Sequence, residues 1–224
     1  MVDYSGAISR IKNVIIDINI EHVFSDARSY GLKVNTIEDF ANQAHNHVFI
    51  EKLMIKYANI AQFYCVASGF STGIGGVFTS TALAGVDIAN MAAQLYRLNQ
   101  RLSVLNGFDP NNMIHQEKSQ MIYLKALGFE AAAQASIRAQ VIKAAAENTA
   151  KRGPSSNVTI RLIMEVVKLL GPKITKEQAA KLVPFVGAFL GGGGNYLFSK
   201  SAANKMINDY KSDYFDRWQT ESRK

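Results

Sequence analysis

The chain has 224 residues, of which 48% are hydrophobic and 10% aromatic, and its formal net charge is +7. This length permits one large domain or two small ones with a sizeable core, and the apolar content excludes a disordered chain. The one cysteine, Cys65, cannot form an internal disulfide and lies in an apolar run, so we expect it to be buried. The N-terminus lacks the layout of a secretory signal, which favours a cytoplasmic protein.

The first half of the chain is predicted to be helical. Isoleucines at positions 8, 11, 15 and 18 have helical spacing, although VIIDINI also alternates as a strand would. Asn35 and Glu38 have the spacing of a capping box, which predicts a helix from there to about Ala67. A second long helix is predicted from about Thr81 to Asn106, with Gly107 as its C-terminal stop.

The second half continues the helical pattern. Asp109 followed by Pro110 predicts a helix that reaches about Leu127, before Gly128. Further helices are predicted from Ala131 to Ala150, from Val158 to Leu170, over a short stretch after Thr175, and from Tyr196 to Trp218. The sequence therefore predicts an all-α fold, a compact multi-helix domain.

Two apolar stretches are rich in glycine. No charge occurs between Lys56 and Asp87, nor between Lys181 and Lys200. Spacings of four residues between glycines allow close helix packing, which predicts two glycine-rich helical hairpin segments. The glycines assigned to this packing are Gly69, Gly73, Gly76, Gly187 and Gly191. Serines, threonines and Pro184 within these stretches argue against bilayer spanning and favour a soluble core, or a surface that rests on a membrane.

The positive charge is concentrated in the second half. Residues 1–112 hold 8 basic and 9 acidic side chains, whereas residues 113–224 hold 17 and 9, so the halves carry −1 and +8. A basic face attracts phospholipid, nucleic acid or an acidic protein, and a merely solvated face is the alternative. Nucleic acid is disfavoured because no aromatic residues are interleaved with the basic ones. The predicted lipid-binding residues are Lys143, Lys151, Arg152, Lys173, Lys176 and Lys181.

Two motifs carry a resemblance to a known family. LAGVDIANMAAQLYRLNQRLSVLNGFDP, followed later by LVPFVGAFLGGGGNYLFSKSAANK, is similar to the EcsC protein family, and the similarity runs from about Gly69 to the C-terminus. We therefore predict a single EcsC-like helical domain over residues 35–224, preceded by an N-terminal extension, residues 1–34. The resemblance implies a bacterial, mostly helical protein of a family named for a gene beside an ABC-type transporter. It implies no biochemical activity.

A buried polar network is predicted between the two glycine-rich segments. Asp87 is the only charged residue between Lys56 and Arg97, and a buried carboxylate needs a partner. Asn90 lies one helical turn later, and Asn195 matches a position of the family resemblance. These three residues form the predicted network, with a water-facing Asp87 as the alternative.

Recognised catalytic chemistry has little support in the sequence. His45 and His47 lie about 200° apart on a helix, so both cannot easily bind one metal ion. No base motif accompanies Cys65, and the glycines at 73–76 are not followed by the Lys-Ser/Thr of a phosphate-binding loop. We assign no catalytic residue, metal or cofactor, and favour a non-enzymatic protein.

The functional prediction is a membrane-peripheral protein at the inner face of the membrane. It would contact anionic lipid, or a membrane protein complex, through its basic half and would be accessory to a transport or envelope process. The alternative is an enzyme or small-ligand-binding protein with a polar site around Asp87, Asp109 and Asn195, and a partner-binding module is a third reading. The oligomeric state stays open.

Overall fold

The computed structural model describes residues 18–73, 80–131, 134–139, 142, 159–170 and 194–221. Every regular element among these residues is helical, which confirms the predicted all-α class. The predicted N-terminal helix, residues 74–79 of the first glycine-rich segment and residues 182–193 of the second lie outside the described residues. Gly69 and Gly73, however, form part of a long helix.

Five α-helices and two short 3₁₀ helices are defined by their bounds. The 3₁₀ helices span Glu38–Asn42 and Ala44–Asn46. The α-helices are α1 (Ile20–Ser29), α2 (His47–Gly73), α3 (Ser80–Leu105), α4 (Met113–Ala126) and α5 (Gly194–Glu221). Residues 159–170 are also helical.

Three of these helices are followed by a glycine in the left-handed conformation, which glycine adopts without steric cost. Gly31, Gly107 and Gly128 have φ values of 87°, 77° and 80°. At Gly107 the N–H groups of Gly107 and Phe108 donate to the carbonyls of Val104 and Ser103, at 3.0 and 2.9 Å, which is the Schellman pattern. The stops predicted at Gly107 and Gly128 are therefore confirmed.

The prediction that an α-helix starts after Asn35 is wrong, because the α-helix starts about a dozen residues later, at His47. Asp39 Oδ2 accepts hydrogen bonds from the backbone N–H groups of Asn35 and Thr36 at 2.8 and 2.9 Å, and Asp39 N–H donates to Thr36 Oγ1 at 3.3 Å. This reciprocal capping box, one residue later than predicted, opens a 3₁₀ helix rather than an α-helix. Two 3₁₀ turns follow one another before α2 begins at His47.

The start predicted at Asp109 is also displaced. α4 begins at Met113, and Asn112 Oδ1 caps it by accepting from the N–H groups of Ile114 and His115 at 2.9 and 3.3 Å. Asp109 Oδ1 instead accepts from Asn111 N–H at 2.8 Å, closing a turn before the helix. Both side chains are good caps, and the one at the actual first turn satisfies two backbone donors at once.

The chain divides into two compact units, each built from separate segments. The first unit comprises residues 1–16, 62–96 and 130–199, and the second comprises residues 17–61, 97–129 and 200–224. In the second unit the core holds Phe24, Phe40, Leu53, Phe108, Tyr123, Tyr210 and Tyr214, all buried. The predicted boundary at residue 34 stays a prediction.

The terminal helix α5 buries one face. Ala203, Met206, Ile207, Tyr210 and Tyr214 are all buried, as the 3.6-residue spacing indicates. Tyr196, seven residues before Ala203 and therefore on the same face by helical spacing, is 40% exposed. Among the described side chains of α5, the buried positions therefore begin at Ser199, after the exposed Tyr196 and Leu197.

Candidate functional site

The described helix at residues 159–170 has one apolar face and one basic face. Leu162, Ile163, Val166 and Leu170 are fully buried in the first unit. Arg161 and Lys168 are exposed on the other side. Lys168 Nζ lies 2.6 Å from Glu165 Oε1, and such a surface pair adds little stability. This helix therefore presents cations to solvent while its opposite face forms core.

Large apolar side chains are exposed in the same unit. Phe63 and Tyr64, at the middle of α2, are 67% and 51% exposed, with ring centroids 5.6 Å apart. The remaining members of this set are Ile142, Leu169, Tyr196 and Leu197. Isolated apolar residues on a surface are ordinary, but the adjacent rings of Phe63 and Tyr64 contact each other and form one exposed aromatic area, which is the candidate interaction surface.

The six predicted lipid-binding residues lie outside the described residues, as do Gly76, Gly187 and Gly191. Their assignments stay predictions. Gly69 and Gly73 lie in the last turns of α2. Their predicted role in close packing is likewise untested.

The predicted polar network is described at one member. Asp87 lies in α3 and Asn195 in α5, but their side chains fall outside the described part of the chain. Asn90 is 6% exposed, and its Nδ2 donates to the Tyr64 carbonyl at 3.3 Å. Asn90 thus ties α3 to α2 within the first unit, and the three-residue network stays a prediction.

Cys65 is buried beside that contact, as expected. Its side chain is inaccessible, and Sγ lies 4.0 Å from the Met91 carbonyl oxygen. Burial raises the pKa of the thiol to about 12. Because the thiolate is the nucleophilic form, a thiol in this environment is inert. Cys65 is therefore a packing residue.

Asp109, in the second unit, belongs to a turn that an aromatic stack holds in place. Its backbone N–H donates to His115 Nδ1 at 3.0 Å, and the His115 ring stacks on Phe108 with centroids 5.2 Å apart. Burial, together with the positive charge of Arg217, lowers the pKa of His115 below its usual value. A neutral imidazole is the form that accepts through Nδ1, so the shift and the hydrogen bond agree.

Arg217 of α5 also contacts this turn. Its guanidinium carbon lies 4.2 Å from the centroid of the Phe108 ring, and its Nη2 donates to the Asn106 carbonyl at 3.0 Å. Its Nε lies 2.7 Å from Asp213 Oδ2, and Lys118 also pairs with Asp213. Sequence reasoning missed this cluster, although the spacing of Asp213 and Arg217 is that of a helical ion pair.

Three polar side chains meet inside the second unit. The Tyr210 hydroxyl lies 3.0 Å from Asn99 Oδ1 and 2.9 Å from Ser119 Oγ, and Asn99 Nδ2 donates to Ser119 Oγ at 2.8 Å. The three residues come from α5, α3 and α4, and all are buried. The cluster has the character of a satisfied core network rather than an open site.

His45 and His47, two residues apart, differ in burial. His47 is 4% exposed and lies against Tyr214 and Phe215, each with ring centroids 4.7 Å away. Burial and nearby Lys211 lower the pKa of His47. His45 is exposed. Within the described ranges, no three His, Cys, Asp or Glu side chains gather as metal ligands.

The comparisons with known proteins identify a family. The model of the EcsC protein family matches residues 35–212. The match begins well before Gly69, where the motifs of the resemblance begin, and includes both 3₁₀ helices and all of α2. No curated protein and no solved structure is significantly similar to the chain. Of the helices that the structure describes, none combines the length and hydrophobicity that a membrane span needs.

Proposed function

The chain belongs to the EcsC protein family, and we propose that it is a non-enzymatic peripheral membrane protein that binds anionic lipid through its first unit. The family resemblance extends this proposal to an accessory role beside a transport or envelope process at the inner face of the membrane.

The uneven distribution of charge between the units carries the proposal. The 130–199 segment of the first unit contains nine Lys and Arg side chains against four Asp and Glu, a net charge of +5. The other two segments of that unit contain two basic and two acidic residues, and the whole second unit is only +2. A basic segment near an anionic bilayer gains about 1 kcal/mol for each Lys or Arg at the surface.

Exposed apolar residues in the first unit supply the second half of the argument. Phe63 and Tyr64 combine large apolar area with aromatic character, which favours the boundary between headgroups and acyl chains. Ile142 and Leu197 are 65% and 55% exposed. Cations that bring the protein to the bilayer and apolar side chains that enter its interface are the two components of reversible peripheral binding.

Co-sedimentation with lipid vesicles tests the proposal. We expect the protein to pellet with vesicles that contain phosphatidylglycerol and to stay in solution with pure phosphatidylcholine. Salt should weaken the electrostatic part of the binding. Absence of pelleting with anionic vesicles at low salt would overturn the proposal.

A matched pair of charge variants tests which unit binds. Lys173→Glu with Lys176→Glu lies in the basic segment, and Lys33→Glu with Lys205→Glu lies in the second unit at exposed positions. Each pair lowers the net charge from +7 to +3. We expect the first pair to weaken binding by about 2 kcal/mol, roughly 30-fold, and the second far less. Equal losses would show that total charge, rather than the first unit, governs binding.

A further inference from the structure

The second unit has a surface groove that plays no part in the proposed binding of lipid by the first unit. It has a volume of about 510 Å³, is open to solvent, and is lined by Tyr30, Lys52, Ile55, Lys56, Asn59 and Ile60. Five of these residues belong to α2, and Tyr30 follows the end of α1. The groove therefore runs along the outer side of α2 for about two turns, roughly 12 Å.

The groove combines exposed apolar surface with positive charge. Ile55 and Ile60 are 46% and 36% exposed. Lys52 is exposed one turn before Lys56, and its ammonium lies 5.3 Å from the centroid of the Phe49 ring. Lysines four residues apart lie on the same side of a helix. The apolar and cationic groups thus alternate along one wall.

Asp26, the acidic group that reaches this wall, is already engaged. Its carboxylate accepts from Lys56 Nζ at 3.0 Å and from the Tyr57 hydroxyl at 2.7 Å. Burial opposes its ionisation, but these two hydrogen bonds together with the positive charges of Lys56 and Arg101 outweigh burial, so the pKa of Asp26 is lowered. Lys56 is thereby held in position, with its ammonium 5.9 Å from the centroid of the Tyr30 ring. Lys52 has no salt bridge within the described part of the chain, so it supplies positive charge to the groove.

We propose that this groove binds an acidic amphipathic helix of a partner protein. A helix about 10 Å across fits an open groove beside another helix, and apolar residues at positions i and i+3 or i+4 would pack on Ile55 and Ile60. A glutamate or aspartate on the rim of that helix would pair with Lys52, whereas Lys56 is already paired with Asp26. Charge complementarity of this kind sets orientation and speeds association.

Other occupants match the groove less well. An anionic bilayer is attracted more strongly by the first unit, with a net charge of +5, than by the second, with +2, so lipid is the weaker candidate here. A second copy packed symmetrically would bring its Lys52 toward the same lysine of the first copy, which is repulsive. A small molecule requires more enclosure than this open groove gives.

The test selects helical peptides from a phage-displayed library against the full-length protein. We expect the enriched peptides to share an acidic residue beside an apolar stripe. A synthetic peptide of the enriched sequence should bind in fluorescence anisotropy, with affinity that falls as salt rises. Lack of enrichment, or enrichment of peptides without acidic residues, would overturn the proposal.

Three substitutions in the second unit complete the test. Lys52→Glu and Ile55→Asp change exposed side chains in the groove, and each should weaken the selected peptide about tenfold or more. Lys33→Glu, the matched charge control away from the groove, should leave affinity within about twofold. Thermal unfolding checks that each variant folds. Equal affinity for Lys52→Glu and wild type would reject the groove as the site.

Two further outcomes would reassign the groove. If Lys52→Glu also abolished pelleting with anionic vesicles, the groove would be a lipid contact instead. If Ile55→Asp converted a wild-type dimer into a monomer in light scattering, it would be an interface between copies. Either result contradicts a partner helix, and neither depends on whether the first unit binds lipid.

Discussion

Removing the Tyr210 hydroxyl should measurably weaken the second unit. In Tyr210→Phe the ring keeps its packing, but Asn99 Oδ1 loses a donor that lies 3.0 Å away. Ser119 Oγ loses a second contact at 2.9 Å and keeps its bond from Asn99 Nδ2. Tyr210 and Asn99 are 0% and 1% exposed, so water does not replace the lost hydroxyl in the native packing.

The magnitude follows from leaving one buried acceptor unpaired. A buried polar group that loses its partner costs about 1–3 kcal/mol of unfolding free energy. For a chain of this size, 1 kcal/mol lowers the melting temperature by about 2–4 °C. Circular dichroism during heating and urea titration would measure both quantities. Tyr64→Phe, at a ring that is 51% exposed, is the control and should change stability by less than about 0.5 kcal/mol.

A double-mutant cycle tests the cause. Ser119→Ala combined with Tyr210→Phe should show a coupling energy of about 0.5 kcal/mol or more, because the two hydroxyls contact each other. If Tyr210→Phe is as stable as wild type, or the two changes are additive, the cluster does not hold α3, α4 and α5 together as we argue.

Three further changes test other parts of the second unit. Arg217→Lys keeps a charge beside Asp213 but loses the planar group over Phe108, and should cost about 1–2 kcal/mol in urea unfolding; wild-type stability would contradict this. At Gly31, φ is +87° and an added Cβ meets no atom within 4 Å. Gly31→Ala should therefore cost about 1–2 kcal/mol of unfolding free energy from backbone strain alone. An unchanged midpoint of urea unfolding would refute this prediction. Burial and Arg217 lower the pKa of His115 below 6.5, so its contribution to stability is complete above pH 6.5 and is lost as the pH falls through the folded-state pKa. His115→Gln should therefore show a smaller loss of stability on acidification than wild type, and an identical pH profile in urea unfolding would disprove the link.

Local sequence determined the helix stops at glycine and the buried face of the terminal helix. Gly107 and Gly128 stop helices because a left-handed backbone at that position favours a residue without a Cβ. The apolar spacing along α5 selects its buried face because one helical turn takes 3.6 residues. Cys65 is buried, as its apolar run predicts, although the same run also holds the exposed Phe63 and Tyr64. The family motifs were equally readable, and the family model extends the match to residue 35.

Tertiary structure decided which of several local signals is used. The sequence around residues 35–39 offers Asn35 and Thr36 as caps and Glu38 and Asp39 as their partners, and folding selects Thr36 with Asp39. The turn before α4 likewise offers both Asp109 and Asn112. Propensity alone does not choose between neighbouring caps of similar strength, because the entry path of the chain sets the choice.

The polar contacts of the second unit come from residues far apart in sequence. Tyr210 contacts Ser119 across 91 residues and Asn99 across 111, and Arg217 reaches Asn106 across 111. The 3.6-residue spacing shows which face of its own helix a side chain occupies. It does not show which other helix that face contacts. By itself, then, the sequence determined an all-helical chain with a basic segment and a family. Only packing of the helices decided that Asn99, Ser119 and Tyr210 share one buried cluster, because a buried polar group is stable only where its partners are brought to it.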